Sequence, residues 1–193
     1  MKKTLKVNGV IVGEVEVPEG DIQGEVAAFQ QFLRQKGLKR EVTPLQAIFR
    51  QALCFATTAR HLYDGLNGPA RSPVNAIPFV VNSAFCVELY LKTLHEVQGQ
   101  RPRGHRLLTL FDKLPTAVRA AVLEAGIRYQ NERGIRDLSA AGFRQFIADL
   151  DDAFTRWRYC HEVASPDTGV VHIEPSILVI RALDQVCRDS GAT

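Results

Sequence analysis

The sequence lacks most of the patterns that reveal a function directly. No glycine-rich loop follows a strand, and strands do not alternate with helices, so neither a phosphate-binding loop nor a parallel sheet is expected. Internal repeats and low-complexity tracts are also missing. The cysteines are few and far apart, and no CxxC pair occurs, which argues against structural zinc. We therefore expect no metal and no cofactor, and we expect the cysteines to be small core residues: Cys54, Cys86, Cys160 and Cys187.

A strong charge of one sign is also lacking. The chain has 24 Lys and Arg against 21 Asp and Glu, a net charge of +3, which is too small to establish a nucleic-acid partner by itself. Basic residues do cluster in the stretches 34–40 and 101–106. Arg101, Arg103 and Arg106 in the second stretch are candidate RNA or phosphate contacts. The alternative is that both clusters are solvated surface.

No uninterrupted apolar run is long enough to span a membrane. The longest run, residues 77–94, contains Asn82, Glu88 and Lys92, and charged residues within a span are costly. Residues 1–3 lead directly into an alternating strand pattern instead of an apolar signal segment. We therefore expect a reduced, cytoplasmic protein without a membrane partner.

Hydrophobic periodicity predicts a β-hairpin followed by helices. Apolar and polar residues alternate over residues 3–17 around the turn Asn8–Gly9, and Gly13 indicates a bulge. Asp21 is predicted to cap a helix that ends at Gly37. Thr43–Pro44 is predicted to open the next helix, over residues 43–65, with Pro44 at the first helical position. Further helices are predicted at residues 79–97, 106–114, 116–125, 140–162 and 175–188, with 127–138 left ambiguous.

This order of elements predicts a mainly α protein in two domains. Residues 1–41 form a β-hairpin with a helix, and residues 42–193 form an α-helical bundle. An isolated hairpin is barely stable in water, so this one must pack on a helix or pair across a dimer.

The predicted helix 79–97 carries a carboxylate within its apolar face. At about 100° per residue, Glu88 lies within about 40° of Ala84. Lys92 follows Glu88 one turn later, in the favourable order for an ion pair. A carboxylate on such a face needs a cationic partner or has a raised pKa.

The predicted helix 140–162 ends in a second polar group. His161 lies at the centre of its apolar face, Arg158 lies about 60° from it and Arg156 about 140° away. Arg158, His161 and Glu162 therefore form one polar cluster. Glu88 is the natural partner of Arg158, because a bidentate Arg–carboxylate pair suits a buried site.

Each of these residues also has a structural interpretation. A histidine at a helix end, such as His161, is often a satisfied core or capping residue. Trp157 and Tyr159 can serve as core anchors instead of platforms for stacked bases. His105 follows Gly104 at a predicted helix start, where a capping role is the simpler account.

Three blocks in this order resemble the HEPN superfamily. They are NSAFCVELYLK at 82–92, GHRLLTLFDKL at 104–114 and RWRYCHE at 156–162. The similarity covers roughly residues 42–190. It implies a four- to five-helix HEPN-like bundle that forms homodimers. Many members are metal-independent ribonucleases of toxin–antitoxin, phage-defence and RNA-processing systems.

The resemblance implies a catalytic and a non-catalytic alternative. Active members carry an arginine and, four to six residues later, a histidine, which Arg156 and His161 match. The histidine would act as acid or base in the attack of the ribose 2′-OH on the phosphate, while Arg156 or Arg158 stabilises the phosphate charge. A non-catalytic branch carries Arg-Tyr-x-x-Glu, matched by Arg158, Tyr159 and Glu162.

Two observations favour the non-catalytic branch. Trp157 stands where active members usually carry a small polar residue, and Arg156 does not share a helix face with His161. We therefore expect a non-catalytic module that binds a partner protein, RNA or a nucleotide. In that case Glu88, Arg158 and Glu162 have structural roles. The alternative is a ribonuclease that uses Arg156, Arg158 and His161.

Overall fold

The chain is mainly helical and begins with a two-stranded antiparallel hairpin, as the sequence predicts. The structure is a computed structural model that describes residues 1–7, 9–39, 42–69, 71–132, 138–158 and 173–192, with the backbone alone for 152–158. The described chain divides into two compact units, Met1–Val42 and Thr43–Thr193.

The hairpin of the first unit pairs β1 (Lys2–Val7) with β2 (Val10–Glu16). The register shifts between Leu5 and Lys6, where Leu5 still pairs with Gly13. Gly13 has a φ of 148°, a conformation that glycine adopts without strain. The predicted bulge at this glycine is therefore confirmed.

A single helix, α1 (Ile22–Gln35), packs on β2. The Asp21 carboxylate accepts a hydrogen bond of 3.0 Å from a backbone N–H of the first turn, and Gly37 follows the helix with a φ of 65°. Both predicted ends of α1 are confirmed. Phe32 of α1 lies against Gly13, where a Cβ would be 2.6 Å from the ring. The hairpin is thus supported by a helix.

The second unit contains five long helices and one short helix among its described residues. Their bounds are α2 Pro44–Asn67, α3 Ala76–Val97, α4 Leu107–Asp112, α5 Thr116–Glu132, α6 Ala140–Arg158 and α7 Ile173–Asp189, with a 3-10 turn at Pro73–Asn75 before α3. The central helix α3 contacts α2, α4, α6 and α7, while α5 packs on α7 and α6.

The composition of α3 follows from its central position. Eleven of its residues are buried, and Tyr90 and Leu91 have no exposed surface. By length and composition α3 with its preceding turn would also suit a membrane span. Neighbouring helices bury Phe79, Val87 and Leu91 among other apolar residues of α3, as in the core helix of a bundle, whereas Ile77 is 39% exposed.

Three predicted helix boundaries are wrong. The helix predicted to begin at about Phe79 begins at Ala76, directly after the 3-10 turn. The helix predicted to end at Gly126 continues to Glu132. Gly126 is required there because a Cβ would lie 2.9 Å from the Phe143 ring of α6. The last helix begins at Ile173 and not at Pro175, since a proline is tolerated anywhere in the first turn, where its missing N–H has no partner to lose.

The described cysteines differ in their burial. Cys86 and Cys187 are buried, as expected of core residues, but Cys54 is exposed on α2. Burial raises the pKa of the Cys86 and Cys187 thiols above the ordinary value, so both stay protonated. Cys160 lies outside the described residues.

Candidate functional site

Glu88 lies on the side of α3 that faces α4 and α6. Its side chain is 13% exposed, and Lys92 Nζ approaches its carboxylate at 2.7 Å. The predicted ion pair one turn apart is therefore confirmed. His105, which precedes α4, brings its Nδ1 to 2.9 Å from the same carboxylate oxygen. The Glu88 carboxylate thus contacts two side-chain nitrogen atoms, one from its own helix and one from the loop before α4.

The capping role predicted for His105 is wrong. The backbone N–H of Leu107 at the start of α4 instead donates to Asp151 Oδ1 of α6 at 2.6 Å. The other carboxylate oxygen of Asp151 lies 3.1 Å from Arg106 Nε, and the side chain is only 4% exposed. A negative charge at a helix start satisfies an N–H that would otherwise lack a partner.

Asp151 is a residue whose role the sequence alone did not reveal. One feature of the sequence could have indicated this role: an acidic residue stands on the apolar face of α6, between Ile147 and Phe154. A second indication was arginine at the N-cap of α4, because the Arg106 side chain has no oxygen that could accept a capping hydrogen bond. A helix start without its own cap requires an acceptor from elsewhere in the fold.

These contacts form one polar cluster, which we call the Glu88–Asp151 cluster: Glu88, Lys92, His105, Arg106 and Asp151. It joins α3, α4 and α6 around a cavity of about 80 Å³, which is large enough for a few water molecules but too small for a nucleotide. Among the described residues, two carboxylates face two permanent cations, so their charges balance. The contacts connect α3 to the segment before α4, and the start of α4 to α6.

The arginines predicted as catalytic lie on the last turns of α6. Position 158 comes seven residues after Asp151 and therefore lies about 20° from it around the helix axis. The side chains of Arg156 and Arg158, and the whole of His161 and Glu162, lie outside the described residues. The Glu88–Arg158 pair and the catalytic assignment stay predictions.

The three arginines predicted as RNA contacts have different surroundings. Arg101 makes a bidentate contact with Glu96, at 2.9 and 2.7 Å. Its hydrogen bonds lower the pKa of the Glu96 carboxyl. Arg106 contacts Asp151, and Arg103 is exposed. Two of the three arginines are therefore engaged by carboxylates.

A larger concave site, absent from the sequence-based prediction, lies between α2, α5 and α7. It has a volume of about 770 Å³, and the buried Tyr90 of α3 forms part of its floor. We call it the arginine-lined groove. Its charged lining residues are four arginines and three carboxylates: Arg60, Arg128, Arg181, Arg188, Glu132, Asp184 and Asp189.

The floor of the groove is a hydrogen-bonded chain. The Tyr90 hydroxyl donates to Asp184 at 3.0 Å, and Arg188 Nε donates to the same carboxylate at 3.0 Å. The Arg188 guanidinium also lies 5.5 Å from the Phe49 ring centroid. Burial, the nearby Cys86 thiol and Asp184 raise the pKa of Tyr90 far above its ordinary value. Tyr90 is therefore a permanent donor to Asp184.

The remaining arginines extend from the walls. The Arg181 guanidinium lies 4.9 Å from the Tyr129 ring centroid, and no carboxylate among the described residues pairs with it. Arg60 lies 3.0 Å from Asp64, and Arg128 lies 3.8 Å from Glu124, all with exposed side chains. The groove thus presents guanidinium N–H donors above a fixed floor, an arrangement that can bind an anion.

Comparison with protein-family models, with curated proteins and with solved structures finds no match to this chain. Within the described ranges, no three His, Cys, Asp or Glu side chains are placed to hold a metal ion. The homodimer, the RNA or protein partner and the cytoplasmic location stay predictions.

Proposed function

We propose that the helical unit is a non-catalytic HEPN-like module that binds a ligand. The observation that carries this proposal is the Glu88–Asp151 cluster. The contact between Glu88 and His105, at 2.9 Å, joins the first two sequence blocks of the resemblance. Asp151 reaches the cluster from α6, the helix that also carries the start of the third block.

The balance of charges in this cluster supports a structural role. A phosphoryl-transfer site needs room for the phosphate and donors directed at its developing charge. The cluster offers a cavity of about 80 Å³, and its carboxylates take up the Lys92 and Arg106 cations. Among the described residues, these groups therefore hold helices together, and the cavity between them is too small for a ribose phosphate.

An RNA cleavage assay tests the absence of catalysis. We expect purified protein with EDTA to leave a labelled single-stranded RNA intact, at the same level as the His161→Ala variant. EDTA removes metal-dependent contaminants, and circular dichroism shows that the variant is folded. Cleavage that the His161→Ala change abolishes would overturn the proposal. It would establish the ribonuclease alternative, which rests on the spacing of Arg156 and His161.

A further inference from the structure

The His105 side chain combines exposure to solvent with a fixed partner. It is 82% exposed, and its Nδ1 lies 2.9 Å from Glu88 Oε1. A carboxylate only accepts hydrogen bonds and a neutral imidazole has a single N–H, so the ring proton is on Nδ1. Nε2 then carries a lone pair, and no hydrogen-bond partner among the described residues reaches it.

We propose that His105 is a phosphorylation site. It accepts a phosphoryl group at Nε2 from a phosphoramidate, a donor in which phosphorus is bonded to nitrogen. This site goes beyond the binding role of the helical unit and does not depend on it.

The chain on both sides of His105 is anchored. The Leu107 N–H donates to Asp151 Oδ1 at 2.6 Å, and the Gln100 N–H donates to the His95 carbonyl at 2.9 Å. These bonds tie the two ends of the loop to α6 and to α3. The position of the histidine is therefore restricted before a donor arrives, which lowers the entropic cost of the reaction.

Glu88 is a positioning residue for this histidine. Its carboxylate is 13% exposed, and Lys92 Nζ holds the same oxygen at 2.7 Å. When Nε2 forms a bond, the ring gains positive charge, and a carboxylate at Nδ1 stabilises that charge. A carboxylate that orients a histidine and stabilises its cation has the same role in catalytic triads.

The transfer balances without a further reactant. The Nε2 lone pair forms the new bond to phosphorus, while the bond between phosphorus and the donor nitrogen breaks. That electron pair stays on the donor nitrogen, which leaves as an amine, and the Nδ1 proton stays on the ring next to Glu88. Histidine is one of the side chains that form such covalent intermediates.

Basic side chains near His105 favour the approach of an anionic donor. Arg103, two residues earlier, is exposed, and the Arg106 side chain is 70% exposed. Positive charge at a surface raises the local concentration of small anions. The reaction takes place at the surface and needs no deep pocket.

Two other described histidines serve as internal controls. His61 on α2 is also exposed and follows Arg60, but no carboxylate contacts its ring within the described ranges. His95 is only 1% exposed. Its ring nitrogens lie 3.0 Å from Gln100 Oε1 and 2.9 Å from the Leu110 carbonyl. His95 should therefore stay unmodified as long as the chain is folded.

Treatment of the full chain with potassium phosphoramidate at neutral pH tests the site. Peptide mass spectrometry follows each histidine separately with time, and phosphorus NMR distinguishes phosphorylation at Nε2 from that at Nδ1. We expect His105 to be modified at Nε2 at least about tenfold faster than His61. The reason is that a hydrogen bond to a carboxylate strengthens as the ring becomes cationic.

A variant of Glu88 tests the positioning role. Glu88→Gln keeps the size of the side chain but removes its charge, so the rate at His105 should fall at least about fivefold, toward that of His61. Glu96→Gln is the matched control, because this carboxylate of α3 is 15% exposed and pairs with Arg101 instead. It should leave the rate at His105 unchanged. Circular dichroism shows that each variant is folded.

Three results would overturn the proposal. They are a rate at His61 equal to or above that at His105, phosphorylation of His105 at Nδ1, and a rate at His105 that a folded Glu88→Gln variant does not change. The first two concern the unchanged protein, so the test holds even if the variant fails to fold. None of them bears on RNA cleavage, so the proposed non-catalytic role would stand or fall separately.

Discussion

Asp151 shows how one buried carboxylate connects two elements that are distant in sequence. Its oxygens accept from the Leu107 N–H at 2.6 Å and contact Arg106 Nε at 3.1 Å. Because its side chain is only 4% exposed, water has little access to the carboxylate and cannot readily replace a lost hydrogen-bond partner. Its charge therefore contributes to the position of α4 on α6.

Replacing this carboxylate by an amide should destabilise the fold. Asp151→Asn keeps the size of the side chain but removes its charge and turns an NH₂ group toward a donor. We expect the free energy of unfolding to fall by about 1–3 kcal/mol, measured by urea denaturation at neutral pH.

Asp149 provides a matched control on the same helix. It is exposed, and among the described residues it accepts only from Gln145 of the previous turn. Asp149→Asn should therefore change the free energy of unfolding by less than about 0.5 kcal/mol. Equal effects of the two substitutions would show that the buried contacts of Asp151 contribute nothing to stability.

At the scale of elements, the contact between α5 and α6 depends on the absence of a side chain at Gly126. A glycine inside a helix usually costs about 1 kcal/mol relative to alanine. Here α6 places the Phe143 ring against it, and that ring is only 1% exposed. The close approach of the two helices outweighs the helix propensity.

Gly126→Ala should therefore destabilise the protein, although the same change usually stabilises a helix. The new Cβ would lie 2.9 Å from the Phe143 ring, and the ring has no free space to move into. We expect a loss of about 1–3 kcal/mol, measured as a lower midpoint in urea and a lower Tm.

Gly142, on α6, is the control for this effect. A Cβ there would meet only Ser139 Oγ at 3.3 Å and Leu138 at 4.0 Å. Gly142→Ala should leave stability unchanged or raise it, because Ala has the higher helix propensity. A gain in stability at both glycines would contradict the packing at Gly126.

At the scale of the whole molecule, ion pairs distributed over the surface make stability depend on pH. Hydrogen bonds from Arg101 lower the pKa of Glu96 below its ordinary value of 4.5. Hydrogen bonds from Arg144 lower that of Asp112 below 3.8. The folded state therefore binds fewer protons than the unfolded state, and stability falls on acidification.

We expect both contributions to be present above pH 4.5 and to disappear as pH falls through the lower folded-state pKa values. The measurement is urea denaturation at neutral pH and at pH values below 3.8. The double variant Glu96→Gln and Asp112→Asn should lose less stability on acidification than the unchanged protein. An identical pH dependence would show that these two pairs do not contribute.

Local features were predictable because their partners lie within one or two turns. Thr43 and Gln46 cap α2 with reciprocal bonds of 3.2 Å, and the Thr43–Pro44 start was read from the sequence. The Glu88–Lys92 pair spans a single turn. In such cases residue type and spacing alone bring the atoms together.

Other features were missed because their partners are far apart in sequence. His105 approaches Glu88 across 17 residues, and Asp151 reaches Leu107 across 44. The close packing that requires a glycine at position 126 involves Phe143 of another helix. Periodicity along one helix predicts on which face of the helix a residue lies. It does not predict which other element packs on that face.

The sequence by itself determined the mainly helical class, the bulged hairpin and the caps of the first two helices, because these depend on hydrogen bonds between near neighbours and on periodic burial. Only the tertiary structure decided which charges meet. It placed Asp151 at the start of α4, and it gathered Arg60, Arg128 and Arg181 from three helices around one groove. The physical reason is that charge contacts act over a few ångströms in space, whatever the separation along the chain.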